Sequence, residues 1–473
     1  MGTLNASLAG AASALDALQY ALSVSQNNID NASTPGYARQ TASLIADPFD
    51  PAAGLSGGVA QGPVMDSRDL LAEREVWQQA GAQGAATAQN QALALVQNAL
   101  PTSSGNGIPA ALTSFFNAVS AWSAAPGDGS TEQTVMDAAS TLAHSFNTTA
   151  AAVSTVSQAV TQSIGDTVGQ INSLTTQLAN LNAAVERGGQ HDAGLSGQVY
   201  STLENLSGLV NIQVLPQQDG TVNVTLSGGD ALVLGTQQYG LSTGSVAAAG
   251  NPPIDPQAPP HTAIYGADGA DVTTQLSSGT LYGQLQVGNV TIPALTGDAG
   301  QPGALNQLAT SLASTVNGIV SQGFVSPGNP AAGGLFVTDG AHPTSAAATF
   351  AVDSNMTAAG LPAIDQNNVP NGVPLALNSL AGAPQGSLGN ASYTAFYGNA
   401  AAELGTQLNL AQSGQTLATQ SLAQAQSMRQ TAEGVDLNAE AVNVMQLQQG
   451  YEAAAKLVNT LNTLTQAVIN MIP

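Results

Sequence analysis

Four histidines, His144, His191, His261 and His342, are the side chains suited to proton transfer near neutral pH. None stands in an H-E-x-x-H run or in any paired ligand spacing, so no zinc site is expected. His191 and Asp192 adjoin in a glycine-rich stretch that reads as a solvated turn. There is no G-x-S-x-G elbow and no P-loop. The run Leu226-Ser227-Gly228-Gly229-Asp230 suits a turn between strands better than a phosphate cradle. Acidic residues are scattered and form no D-x-D-x-D-G calcium loop. With no cysteine, disulfides, thiolate nucleophiles and thiolate metal sites are excluded. The expectation is a chain with no catalytic, metal or cofactor residues, whose working surfaces are apolar helix faces.

Composition narrows the partners. Charged residues are 7% of the chain, against roughly a quarter in ordinary domains. Six basic residues face 29 acidic ones, for a net charge of −23. Nucleic acid is excluded as a partner, because neutralising phosphates needs clustered Lys and Arg. Anionic membrane surfaces are excluded on the same ground. No apolar run reaches the length of a membrane span, so no membrane insertion is expected. The first residues lack a basic n-region, so no cleaved secretory signal is expected. Aromatics are 4%, which predicts a core of Ala, Leu, Val and Ile.

The elements that must carry an apolar surface lie at the two ends. Leu4, Leu8, Ala11, Leu15, Leu18, Leu22, Ser25 and Ile29 recur at alternating steps of four and three. All but Ser25 are apolar. This seam predicts a helix over 3–29, about 40 Å long, packed along another helix. Val444, Leu447, Tyr451, Ala454, Val458, Leu461, Thr465, Val468 and Ile472 repeat the pattern, with Leu457, Leu464 and Met471 widening the stripe. A helix over 438–472 would be about 52 Å long. The two stripes are expected to pack together and to leave an outer face for neighbouring subunits.

Between them, helices are predicted over 70–100, capped by Asp69, and over 109–124, with an interrupted helical run over 131–186. Strands are predicted as a hairpin of 210–214 and 222–226, and at 231–234, 281–287 and 348–352. The prolines of 250–261 predict an extended loop, 303–322 a helix, and helix returns from Tyr393. The fold class expected is α+β multidomain. Long terminal helices pair as a coiled-coil-like inner domain, beside a helical middle domain and an inserted β-rich outer module. The expected boundaries are 1–35 with 438–473, 36–200 with 393–437, and 201–392.

One segment is distinctive. Asn27-Asn28-Ile29-Asp30-Asn31-Ala32-Ser33-Thr34-Pro35-Gly36-Tyr37-Ala38-Arg39-Gln40 ends a helix, turns at Pro35-Gly36 and anchors the next segment through Tyr37. It resembles the signature of the rod, hook and hook-associated proteins of the bacterial flagellar axis. The residues carrying the signature turn are Asn31, Ser33, Thr34, Pro35, Gly36, Tyr37 and Arg39. The Ser-Thr-Pro-Gly-Tyr run followed by Arg-Gln is similar to the first hook-associated proteins, the FlgK family. Gly434-Val435-Asp436-Leu437-Asn438-Ala439-Glu440 and Gln448-Gln449-Gly450-Tyr451-Glu452-Ala453-Ala454-Ala455-Lys456 resemble that family's C-terminal segments. So, more loosely, do 219–224, 279–285 and 303–324. Departures are Glu433 in place of a small serine, Asn438-Ala439 in place of an acidic pair, and a missing acidic–arginine motif near 196–207.

The resemblance implies a structural, non-enzymatic subunit at the hook–filament junction, exported through the flagellar type III apparatus. The implied partners are the hook protein, the second junction hook-associated protein, further copies in a ring, and an export chaperone at the C-terminal helix. The assembly interface is expected on Leu4, Leu8, Leu15, Leu18, Leu22, Ile29, Val444, Leu447, Tyr451, Val458, Leu461, Val468 and Ile472. The alternatives are a hook or rod component, or a secreted surface hydrolase or adhesin. The last has no catalytic motif and leaves the paired terminal seams unexplained.

Overall fold

The computed structural model describes residues 2–50, 55–101, 107–189, 192–247 and 252–470. In chain order, helix α1 (Gly2–Asp30) is followed by the hairpin β1 (Gln40–Asp50) and β2 (Leu55–Asp66). Helices α2 (Leu70–Ala99), α3 (Gly107–Ala124), α4 (Gly129–Ala184) and α5 (Ala193–Leu209) come next. Then come β3 (Ile212–Pro216), β4 (Val222–Leu226), β5 (Ala231–Leu234), β6 (Gln237–Gln238), β7 (Ser242–Val246) and β8 (His261–Tyr265). Short helices α6 (Thr280–Gln286) and α7 (Ile292–Thr296) lead to α8 (Ala304–Val320). The two-stranded pairs β9 (Phe324–Ser326) with β10 (Asn329–Pro330), and β11 (Phe336–Val337) with β12 (Ala351–Val352), precede α9 (Gly372–Ser379). The long α10 (Tyr393–Glu433) and α11 (Leu437–Asn470) complete the described chain.

The chain divides into two compact units. One comprises Met1–Ala82, Ile171–Gly240 and Ala418–Pro473; the other comprises Gln83–Gln170 and Leu241–Leu417. In the first, β3, β4, β5 and β6 form an antiparallel meander, with Val214 opposite Val224 and Val224 opposite Val233. Val224, Leu226, Leu232 and Val233 are fully buried. The buried Asn182 of α4 ties the helix to this sheet: its Nδ2 donates to the carbonyls of Val222 (2.8 Å) and Gly235 (2.6 Å), and its Oδ1 accepts from the Val222 amide. An amide with no such partners would be costly to bury, so these bonds fix where the sheet sits on α4.

The second unit corrects the expectation of a purely aliphatic core. Its few aromatics are concentrated rather than scattered. Phe336 lies 5.6 Å from Phe115 and 4.7 Å from Phe350, which in turn lies 4.8 Å from Phe146. Each ring removes far more apolar surface from water than an aliphatic side chain, so a handful suffices to found a core.

Three local readings also change. The run over 131–186 is not interrupted: α4 is one continuous helix of 56 residues. The strand expected at 348–352 shrinks to Ala351–Val352. The strand expected at 281–287 is the helix α6. Leu281, Gly283, Leu285 and Val287 alternate as a strand would, and all four are buried, yet the surroundings demand helix. A Cβ on Gly283 would stand 2.3 Å from the Ala85 carbonyl oxygen, so this turn of helix approaches α2 through its glycine. Close backbone packing overrides a local alternation here.

Candidate assembly site: the terminal helices and the joint that holds them

Helices α1 and α11 run antiparallel. Ser25 meets Glu440 and Asn443, while Leu18 reaches Gly450 seven residues further along, at 3.5 Å from where its Cβ would be. The seam residues Leu4, Leu8, Leu15, Leu18, Leu22 and Ile29 are half-buried, as are Val444, Leu447, Val458, Leu461 and Val468. Tyr451 is exposed, and Ile472 and Met471 lie outside the described residues, as does His191. The buried apolar positions of α1 are smaller, Ala11, Ala17, Ala21 and Val24, and the polar Ser25 and Asn28 are buried with them. The hairpin lies along the same helix, where Tyr20 donates to the Gly62 carbonyl and the Gln61 amide to the Asp16 carbonyl. On α11, Leu437, Val442, Met445, Leu457, Leu464 and Ile469 are exposed, each by about half its surface. Among the described residues of this helix only Glu440 is buried.

Glu440 organises the far end of the pair. Its Oε1 accepts from Arg39 Nε at 2.7 Å and from Asn28 Nδ2 at 3.2 Å, and its Oε2 from the Ser25 hydroxyl at 2.8 Å. Ser25, the polar exception in the seam of α1, is thus the place where the carboxylate docks. Burial would raise the Glu440 pKa, but the bonds from Arg39 and Ser25 prevail and hold it below the usual glutamate range. Asn28 works in both directions: Oδ1 accepts from the Gln40 amide (2.8 Å) and the Tyr37 hydroxyl (2.9 Å), and Nδ2 also donates to the Gln40 carbonyl (2.8 Å). This clamp sets the first residue of β1. Burial, with the negative Glu440 nearby, pushes the Tyr37 phenol up to about 12.

The signature turn divides into anchored and free parts. Asn31 Nδ2 donates to the Asn27 carbonyl and side chain, and the Thr34 hydroxyl donates to Asn31 Oδ1. Ser33, Thr34 and Pro35 face solvent. Gly36 has φ +74°, and a Cβ there would lie 2.4 Å from the Gly197 carbonyl oxygen of α5. Gly36→Ala is therefore expected to destabilise the protein by about 2–4 kcal/mol, combining left-handed strain with overpacking. Equilibrium denaturation checks this, and a midpoint equal to wild type would contradict the close approach.

A second cluster sits where α10 ends. Arg68 Nη1 pairs with Glu73 Oε1, and its Nη2 donates to the Gly36 carbonyl at 2.8 Å. The Arg68 guanidinium also stacks 3.7 Å over the Tyr200 ring. Arg429 Nη1 reaches Glu204 Oε2 at 2.7 Å and Glu73 Oε2 at 3.1 Å. Glu433 lies 3.7 Å from Arg68, its Oε1 accepts from the Asp69 amide at 2.8 Å, and its backbone carbonyl accepts from the Arg39 amide and the Ser67 hydroxyl. Burial, then the charge of Glu73, pushes Glu433 up to about 7 against the pull of the Asp69 amide and the two arginines.

Sequence reasoning did not single out Ser25, Asn28, Arg68, Glu73, Glu204, Arg429, Glu433 or Glu440 as site residues. One signal was available: with only six basic residues in the chain, any arginine near the ends is a candidate for a fixed structural partner. Three of the six, Arg39, Arg68 and Arg429, make ion pairs in these two clusters. No cluster of metal-ligating side chains occurs among the described residues, and no described helix is long and apolar enough to cross a membrane.

Residues 93–336 match the model of the flagellar hook-associated protein FlgK helical domain. The chain belongs to the FlgK family. Residues 419–471, which span the end of α10 and nearly all of α11, match the C-terminal model of flagellar basal body rod FlgEFG proteins. Flagellar hook-associated protein 1 of Bacillus subtilis is 28% identical over 97% of this chain and 96% of its own length. The protein of that name from Salmonella typhimurium is 29% identical over 48% of this chain and 42% of its own. The flagellar hook junction protein FlgK from Burkholderia pseudomallei aligns with a TM-score of 0.47 at 29% identity, over 56% of this chain and 46% of that one. In this FlgK-family chain, the resemblance read from the signature turn and the C-terminal segments is borne out, and so is the α+β multidomain class with paired terminal helices.

Proposed function

We propose that this FlgK-family chain is a structural subunit of the flagellum that joins hook to filament, assembling through α1 and α11 and catalysing no reaction. The observation that carries the reading is the state of α11. It pairs with α1 along one stripe and still leaves Leu437, Val442, Met445, Leu457, Leu464 and Ile469 each about half exposed along its length. A paired helix that leaves so many apolar side chains open to water suits docking against further protein. Further copies in a ring, the hook protein on one side and the second junction protein on the other are the proposed neighbours. An export chaperone that grips an amphipathic helix would cover the seam of α11 before assembly. The seam residues named from the sequence, Leu4 to Ile29 and Val444 to Val468, belong to this surface in the proposal.

The test is to locate labelled protein on isolated hook–filament structures. Label confined to the junction supports the reading; label along the hook, in the rod or on the cell surface refutes it. A peptidoglycan zymogram of the purified protein is expected to stay blank, and a cleared band would replace the structural reading with a hydrolase.

A further inference from the structure

Helices α10 and α11 meet at Gly434-Val435-Asp436, and two buried glutamates flank this joint. On the far side, Glu440 is matched by Arg39, Ser25 and Asn28. On the near side the balance is different. Glu73, Glu204 and Glu433 share two guanidinium groups, Arg68 and Arg429, so the cluster carries one negative charge in excess when all are ionised. Glu73 takes the close contact of both arginines, while Glu433 has the Asp69 amide, the 3.7 Å approach of Arg68 and no direct contact with Arg429, whose charge still pulls on it. Glu433 is faced by Arg68 and Asp69 from the segment before α2, Glu73 from α2, Arg429 from α10 and the Arg39 amide at its backbone carbonyl; next to this set, Tyr200 of α5 feels both Glu433 and Asp66 of β2, and Glu204 of α5 pairs with Arg429. Glu433 is thus the carboxylate least compensated, and it is also the residue at which α10 grips both Asp69 and Arg39.

We propose that the α10–α11 joint is a proton-operated latch: Glu433 takes up a proton when the joint is closed on Asp69 and Arg39, and releases it when the joint opens. Protonation removes the excess charge and leaves Oε1 free to accept from the Asp69 amide. In the closed joint Glu433 titrates at about 7, and in an open, hydrated joint it returns to its ordinary value of 4.5. The closed form therefore binds more protons between these two values. Its advantage is full below the ordinary value, shrinks as pH rises through the window, and levels off above about 7. Acid tightens this latch, whereas it weakens the Glu440 side, where the carboxylate must stay ionised.

The experiment is hydrogen exchange on the full-length chain, read at the Arg39 and Asp69 amides, with the intrinsic pH dependence of exchange removed. Wild-type protection is expected to fall roughly tenfold per pH unit between about pH 5 and 7 and then to level. Glu433→Gln, which keeps the acceptor and cannot ionise, should hold high protection throughout. Glu73→Gln removes the neighbouring charge and should move the levelling point to lower pH. Wild-type protection that is flat across the window, a Glu433→Gln variant that keeps the slope, or a Glu73→Gln variant with an unmoved levelling point would each overturn the proposal.

Discussion

Glu440→Ala is expected to cost about 2–4 kcal/mol of stability and to loosen the terminal helix pair. The estimate follows from what the carboxylate leaves behind. The Ser25 hydroxyl and the Asn28 amide are buried, and each would lose an acceptor at about 1–3 kcal/mol. Arg39 adds less, because its side chain is 40% exposed and can turn to water. Urea denaturation at neutral pH measures the loss. Glu440→Gln, which keeps one acceptor, should fall between the two. The pH dependence supplies an independent check. Because the folded Glu440 is held below its ordinary pKa, its contribution is present above the ordinary glutamate range and is lost as pH falls through the folded value. The stability difference between wild type and Glu440→Ala should therefore narrow below about pH 4. A difference that stays constant into acid would mean that the carboxylate's charge is not what holds the pair.

Leu461→Asp should abolish filament growth while leaving the second unit folded. Leu461 is half-buried on the seam of α11. Carrying the stagger set by Ser25–Asn443 and Leu18–Gly450 along both helices brings it level with about residue 7 or 8 of α1. A carboxylate there cannot be desolvated against apolar neighbours without a penalty of several kcal/mol or a strong shift toward the neutral acid. In a single chain the half-open seam lets water reach it, so the fold survives. In the proposed ring that water would be excluded. Motility in soft agar and electron microscopy of filaments read the assembly defect. Trp122, fully buried in the second unit, reports whether that unit stays intact once Trp77 is replaced by phenylalanine. Normal filaments on cells carrying only Leu461→Asp would remove the seam from the assembly surface.

The sequence made the helix pair legible because its information is local and periodic. Leu4 to Ile29 and Val444 to Val468 repeat at steps that only a helix can gather on one face. The hairpin of 40–66 was not legible. Thr41-Ala42-Ser43-Leu44-Ile45-Ala46-Asp47-Pro48 lacks alternation, contains a proline, and is held along α1 by bonds such as Tyr20 to Gly62. Its register shifts between Ala42 and Leu44, and Leu44 and Ile45, on opposite faces of the strand, are both exposed. The alternation at 281–287 misled for the opposite reason: a clear local pattern lost to the close approach of Gly283 to Ala85.

By itself, then, the sequence determined the family, the terminal helices and their apolar seams, and the glycine turn between α1 and the hairpin. Only the tertiary structure decided what holds those helices in place. Glu440 finds Ser25 and Asn28 across more than four hundred residues, and Arg429 joins Glu204 to Glu73 across three separate helices. Helical periodicity follows from backbone geometry and repeats within a few residues. The partner of a buried charge is set by which distant segments the folded core brings within hydrogen-bond reach, and no spacing along the chain records that.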